Sequence, residues 1–237
     1  MSQKGKIIGV SLGPGDPELI TLKGYNVLKE VDHIYYPGSR FGNGQEKSYS
    51  FGILEKLGIE RSKTEGFFLE MNLDRIQAQA IYKQTALKIK EEVLSGKNIA
   101  IVCEGDLSTY SSFSYLLAYF AEFDLPVSLI PGITSFANAA AEIQDPLVLL
   151  NETMKIIPRV KTEEDLNQAL MESDTIVLMK IKSVMDVIFP ILEQDNYVFV
   201  YAERLGTPDQ FLCTEIDQLK ERIIPYFSLI IIKNKKA

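Results

Sequence analysis

The chain has 237 residues, enough for one large domain or two small ones, and its 46% hydrophobic and 24% charged residues suit a folded chain rather than a disordered one. Two cysteines and one histidine exclude a disulfide scaffold, a multi-cysteine zinc module and a histidine-rich metal site, and a Ser-His-Asp triad would have to use His33. The net charge of −7 argues against non-specific nucleic-acid binding, and no run approaches the roughly 18 apolar residues of a membrane span. Met1 to Lys6 is short and polar, with no apolar signal-peptide core, so the chain is read as cytoplasmic and reducing, with neither membrane nor nucleic acid as partner.

Lys6 to Leu12 reads as a buried first strand, which Gly13-Pro14-Gly15-Asp16-Pro17 cannot continue. Thr21 is placed to cap a helix with Leu22, Tyr25 and Leu28 on one face. His33 to Tyr36 reads as a short strand ended by Pro37-Gly38, and Ser39 to Ser50 as a long polar loop. The spacing predicts a helix over Asp74 to Leu94 with Tyr82, Ala86, Ile89 and Val93 inward, then a buried strand from Asn98 to Cys103. A helix over Ser112 to Phe123, a strand over Val127 to Ile130 and the breaker Pro131-Gly132 follow. This alternation favours an α/β sheet with parallel strands. Beyond the breaker, Ile133 to Glu142 reads as helix, and Leu147 to Leu150 and Lys155 to Ile157 as strands. Thr162 caps Glu163 to Met171, Thr175 to Met179 is a strand, and Val184 to Leu192 a helix. Tyr197 to Tyr201, Phe211 to Cys213 and Ser228 to Ile232 complete a second set of strands. The predicted domains are therefore 1–132 and 133–237.

Three strand ends carry glycine-rich breaks: Gly13 to Pro17, Gly105 to Ser112 and Pro131 to Ser135. Ligands of open α/β sheets bind at such ends. The first is neither a dinucleotide fingerprint, since Glu18 stands where a third glycine belongs, nor a Walker loop. Each break read alone is equally a tight turn, and Asp106 equally a helix cap; their convergence points to one pocket edge.

In order and spacing these residues resemble the tetrapyrrole methylase family, the S-adenosylmethionine-dependent enzymes of corrin and siroheme synthesis. The family's opening loop matches Gly13 to Pro17, and its Gly-Asp-Pro segment followed by Tyr-Ser matches Gly105, Asp106, Tyr110 and Ser111. Its Pro-Gly-Ile-Thr/Ser-Ser element matches Pro131 to Ser135, and its apolar strand ending in methionine matches Val177 to Met179. Within the family the chain is most similar to the C20-methyltransferases of precorrin-2 or its cobalt counterpart, through Tyr36-Pro37-Gly38-Ser39, Glu70-Met71 and Met179-Lys180. Leu107 stands where the family has proline, so the backbone angle there is permitted but not enforced.

The resemblance implies two α/β domains, each a mixed sheet flanked by helices, with a cofactor cleft between them. It implies S-adenosylmethionine as cofactor, contacted by Pro14, the Gly105-Asp106-Leu107 backbone, Tyr110, Ser111, Thr134, Ser135, Met179 and Ala202. Asp106 is a candidate for the base that takes the proton from the methylated carbon, and equally a cofactor-positioning residue. Arg40, Lys180 and Arg204, with Lys155, Arg159 and Lys182 behind them, are candidates for the carboxylates of a tetrapyrrole substrate, each also readable as a solvated surface charge. No protein metal site is expected, and a homodimer is. Ser39 to Ser50 is expected to be a mobile flap closing over the macrocycle, with Arg40 on a carboxylate and Phe41 or Tyr49 on the ring. The alternatives are another macrocycle carbon, ribosomal RNA ribose or the diphthamide precursor as acceptor, or a paralogue that binds without turnover.

Overall fold

A computed structural model describes residues 4–70 and 75–235. The chain divides into two units, one running to Thr134 and the other from Ser135. The first unit runs β1 (Ile7–Ser11), α1 (Leu22–Glu30), β2 (His33–Arg40), β3 (Glu46–Lys47), α2 (Tyr49–Lys56), β4 (Thr64–Glu70), α3 (Arg75–Leu94), β5 (Ile99–Cys103), α4 (Phe113–Glu122) and β6 (Val127–Ile130). β1 and β5 are buried at every residue, as expected of central strands covered on both faces. β1 pairs in parallel with β5 and β6, β5 with β2, and β2 with β4. Only the two-residue β3 runs antiparallel, along the end of β2.

The side chains of β1 alternate between two helical layers, as the period of two requires. Ile8, Val10 and Leu12 pack with Leu28 of α1 and Ile53 and Leu54 of α2. Ile7 packs on the opposite face with Tyr82, Ala86 and Ile89 of α3 and Phe113 and Leu116 of α4. The predicted inward face of α3 is therefore the observed one, while Met71 and Asp74 lie outside the described residues. The Thr21 cap forms as expected, its hydroxyl accepting from the Gly24 N–H at 3.1 Å. The buried positions of α1, however, are Gly24 and Leu28, and Leu22 is 75% exposed. The helix backs onto the sheet at Gly24, where a Cβ would stand 3.1 Å from Val10 Cγ1.

The largest departures lie between Pro37 and Glu70. β2 does not stop at Pro37-Gly38 but continues to Arg40, held along its length by β4. β5 pairs with β2 only as far as Tyr35, so one edge is open at Pro37 and its missing N–H leaves no ladder bond unmade there. Ser39 to Ser50 is not a shapeless flap. Ser39 and Arg40 pair with Lys47 and Glu46 in a hairpin, and Ser48 then caps α2, its Oγ accepting from the Phe51 N–H at 3.0 Å. Neither α2 nor β4 announces itself in the sequence.

The second unit runs α5 (Ser135–Glu142), β7 (Met154–Ile157), α6 (Glu163–Glu172), β8 (Thr175–Met179), α7 (Met185–Leu192), β9 (Tyr197–Glu203), β10 (Phe211–Cys213), α8 (Ile216–Lys220) and β11 (Ser228–Asn234). Its sheet is mixed, in the order β10-β9-β11-β8-β7, with only β7 and β8 parallel. α6, α7 and α8 cover one face through Leu166, Leu170, Ile188, Ile191 and Leu219. Phe136 and Ala139 of α5 lie on the other, against Val177, Ala202, Leu229 and Ile231. Leu147 to Leu150 is not a strand. Leu149 and Glu152 close a turn, with the Glu152 N–H donating to the Leu149 carbonyl at 2.8 Å and Leu150 at a φ of 47°.

Candidate active site

The connection from β1 leaves through α1 on one face of the first sheet and that from β5 leaves through α4 on the other. They run to β2 and β6, on opposite sides of the β1–β5 pair, so the carboxyl ends of these two strands form a topological switch point. The glycine-rich loops meet there. The Gly13 N–H donates to the Gly105 carbonyl at 3.2 Å, and the Gly105 N–H to the Gly13 carbonyl at 2.6 Å. Gly105 turns at a φ of 67°, where a side chain is strained, and a Cβ on it would have no atom within 4 Å. The loop thus offers bare backbone to open space. Gly132 serves close approach instead, since a Cβ there would lie 2.5 Å from Ser11 Cβ and 2.8 Å from the Gly105 carbonyl oxygen.

Asp106 fastens these loops. Its Oδ2 accepts from the Gly132 N–H at 2.8 Å and the Ser11 hydroxyl at 3.4 Å, and its Oδ1 from the Ser108 N–H at 2.9 Å and the Ser108 hydroxyl. Burial by itself would raise its pKa, but the donors from Ser108, Gly132 and Ser11 outweigh that and hold it below the ordinary carboxylate range. Ser11 also accepts from the Leu107 N–H at 3.0 Å, a bond that proline in this position could not make. The Leu107 side chain is buried in the cluster that contains Phe113 and Cys103. A Cβ on Gly9 would come 2.9 Å from its Cδ1, so the bare position in β1 makes room for it.

Pro14 is half-buried beside Gly13, and Asp16 caps the short 3-10 turn that follows, accepting from the Glu18 N–H at 2.9 Å. Ser111 accepts from the Phe113 N–H at 3.1 Å at the start of α4. Tyr110 is 48% exposed at a φ of 54°. Thr134 is the last residue before α5, and Ser135 opens that helix. Burial pushes the Cys103 thiol up to about 12, which leaves it protonated and inert.

Glu104, between Cys103 and Gly105 at the end of β5, is a second carboxylate beside these loops that the sequence does not single out. Its Oε1 accepts from the Ser50 N–H at 2.9 Å, in the first turn of α2. Burial pushes its pKa up, only partly opposed by its own backbone N–H and by Ser50. Ser11 was passed over too, although a lone hydroxyl in an otherwise apolar strand is a signal that could have found it.

In the second unit Met179 and Ala202 both lie opposite Leu229 of β11, so the three share one face of the sheet. Lys180 and Arg204 directly follow β8 and β9 in left-handed backbone, at φ values of 54° and 49°. Such strain in non-glycine residues is concentrated at functional sites. Lys180 is exposed, and Arg204 lies 3.9 Å from Asp209. Arg40, at the end of β2, gives its Nε and Nη2 to Glu46 Oε1 at 3.0 and 2.6 Å. Lys155 is likewise taken, by Glu172 at 2.8 Å. Among the described residues no three His, Cys, Asp or Glu side chains are grouped to hold a metal, and no helix is long and apolar enough to cross a membrane.

Residues 6–220 match the model of the tetrapyrrole (corrin/porphyrin) methylases. The chain is 31% identical over 233 residues to a Methanocaldococcus jannaschii protein named "Probable cobalt-precorrin-2 C(20)-methyltransferase", covering 98% of this chain and 97% of that one. It is 28% identical over 238 residues to a precorrin-2 C(20)-methyltransferase of Sinorhizobium sp, covering 98% and 96%. Its fold is similar to the structure of the uroporphyrin-III C-methyltransferase of Thermus thermophilus complexed with S-adenosyl homocysteine, with a TM-score of 0.62 at 18% identity and 97% of each chain covered. The chain belongs to the tetrapyrrole methylases.

Proposed function

We propose that this protein transfers a methyl group from S-adenosylmethionine to C20 of precorrin-2, or of its cobalt complex, in cobalamin biosynthesis. The observation that carries this reading is the end-to-end similarity to C(20)-methyltransferases of both substrates. The switch-point loops fit the cofactor, because Gly105 leaves open space against its own backbone where a bulky ligand can lie. When bound, S-adenosylmethionine supplies a methyl group on a sulfonium leaving group, so no covalent enzyme intermediate is needed.

The chain's own residues bind and orient. Asp106 holds the loops of β1, β5 and β6 in one arrangement, and its donors suit that role better than proton abstraction, since its acceptor positions are occupied. Pro14, Gly105, Leu107, Tyr110, Ser111, Thr134 and Ser135, with Met179 and Ala202 of the second unit, are the proposed cofactor contacts. Lys180 and Arg204 are proposed to meet substrate carboxylates. Arg40 can do so only by exchanging Glu46 for the substrate. The test is incubation with methyl-labelled cofactor and a panel of macrocycles, with the methylated carbon located by NMR. Label at C20 of precorrin-2 or its cobalt complex is expected; label at another carbon, or in no macrocycle, overturns the reading.

A further inference from the structure

Two carboxylates stand at the carboxyl end of β5, one on either side of Gly105, and they are held in opposite ways. Asp106 accepts four hydrogen bonds from three residues. Glu104 is held instead from α2, by the Ser50 N–H to Oε1 at 2.9 Å. The groups that act on Glu104 are its own backbone N–H and the hydroxyl and N–H of Ser50 in α2. On its own strand end the ionisable neighbours are the buried Cys103 thiol and Asp106. His33, the one histidine, is at the opposite end of the sheet, where β2 begins, and its Nδ1 is bound to Glu92 at 3.0 Å.

We infer that Glu104 is the general base of the methyl transfer, a role that rests on the function proposed above. The acceptor carbon forms its bond to the methyl carbon as the sulfur–methyl bond breaks, and sulfur keeps that electron pair. The hydrogen already on the acceptor carbon then leaves as a proton to Glu104, and its electron pair returns to the macrocycle. The Ser50 N–H holds the carboxylate through Oε1, at the end of β5 beside the bare backbone of Gly105. Burial suits the role, because a carboxylate whose pKa is raised holds a proton better than an ordinary glutamate does.

The test compares the parent protein with Glu104→Gln and Glu104→Asp. Glutamine keeps an oxygen for the Ser50 N–H, so a residue that only tethers α2 would lose nothing. Cofactor affinity by calorimetry should stay within about threefold of the parent, while kcat of Glu104→Gln falls by about 10²- to 10⁴-fold. Glu104→Asp should recover part of it, and the acid limb of the parent's kcat–pH profile should vanish in Glu104→Gln. A readout without turnover accompanies these. A carboxyl whose pKa is raised on folding lowers stability as pH climbs from its unfolded to its folded value. Glu104→Gln should therefore unfold at a higher temperature than the parent at pH 8, and the gain should disappear below about pH 4. A parent that methylates no macrocycle overturns both the function and the base. An active parent whose rate and pH profile Glu104→Gln reproduces overturns the base alone.

Discussion

Asp106 and Gly105 show how one dipeptide divides its work. Gly105 contributes the absence of a side chain, and Asp106 contributes acceptors for N–H groups that the loop crossing would otherwise leave buried and unpaired. Gly105→Val places a branched side chain at a φ of 67° in the space a ligand would use, and should lower cofactor affinity at least 100-fold by calorimetry while the far-UV dichroism stays that of the parent. Near-parent affinity would refute a backbone-lined site. Asp106→Ala should cost about 3 kcal/mol in urea unfolding, because several donors lose their partner together. The folded-state pKa of Asp106 is depressed, so its contribution is complete above the unfolded-chain value of about 3.9 and is lost as pH falls through the folded value. The destabilisation measured for Asp106→Ala should accordingly shrink in acid; a difference constant from pH 7 to pH 2 would contradict the assignment. Leu107 differs from the family's proline in keeping an N–H, and it uses that N–H on Ser11.

At the scale of elements, the hairpin and α2 couple the end of β2 to the end of β5. Ser48 donates to the Pro37 carbonyl at 2.6 Å and accepts from the Phe51 N–H, fixing where α2 begins. That start in turn presents the Ser50 N–H to Glu104. Ser48→Ala should cost about 1 to 2 kcal/mol, the ordinary loss of a helix cap, by thermal or urea unfolding. It should also lower kcat more than cofactor affinity, since the Gly13–Gly105 and Asp106 contacts do not involve α2. An equal loss in both would mean that α2 supports the loops generally rather than Glu104.

At the scale of the whole molecule, each unit is a sheet with helices on it, one almost wholly parallel and one mixed, and the strand ends carry the strained or glycine-rich backbone. Exposed apolar groups lie on both units, among them Leu129 of the edge strand β6 and Ile223, Tyr226 and Phe227 ahead of β11. A homodimer, proposed from family membership, is expected in sedimentation at micromolar concentration. A monomer there would set it aside.

The sequence by itself determined what depends on neighbours in the chain. The apolar runs of β1, β5, β6 and β8, the inward face of α3, the Thr21 and Thr162 caps, and the three glycine-rich breaks are all local, as period, cap chemistry and breaker residues are. The tertiary structure decided what depends on partners far away. Pro37 sits inside a strand because β4 holds one edge there and β5 has already stopped pairing on the other. Ser39 to Ser50 takes a shape because β2 carries the hairpin. Asp106 and Glu104 look alike in sequence, two acidic residues around one glycine. They part company because Asp106 meets Ser11, 95 positions away, together with Gly132, whereas Glu104 meets the first turn of α2, 54 positions away. A pKa and a hydrogen-bond inventory belong to the folded surroundings, and no spacing along the chain encodes them.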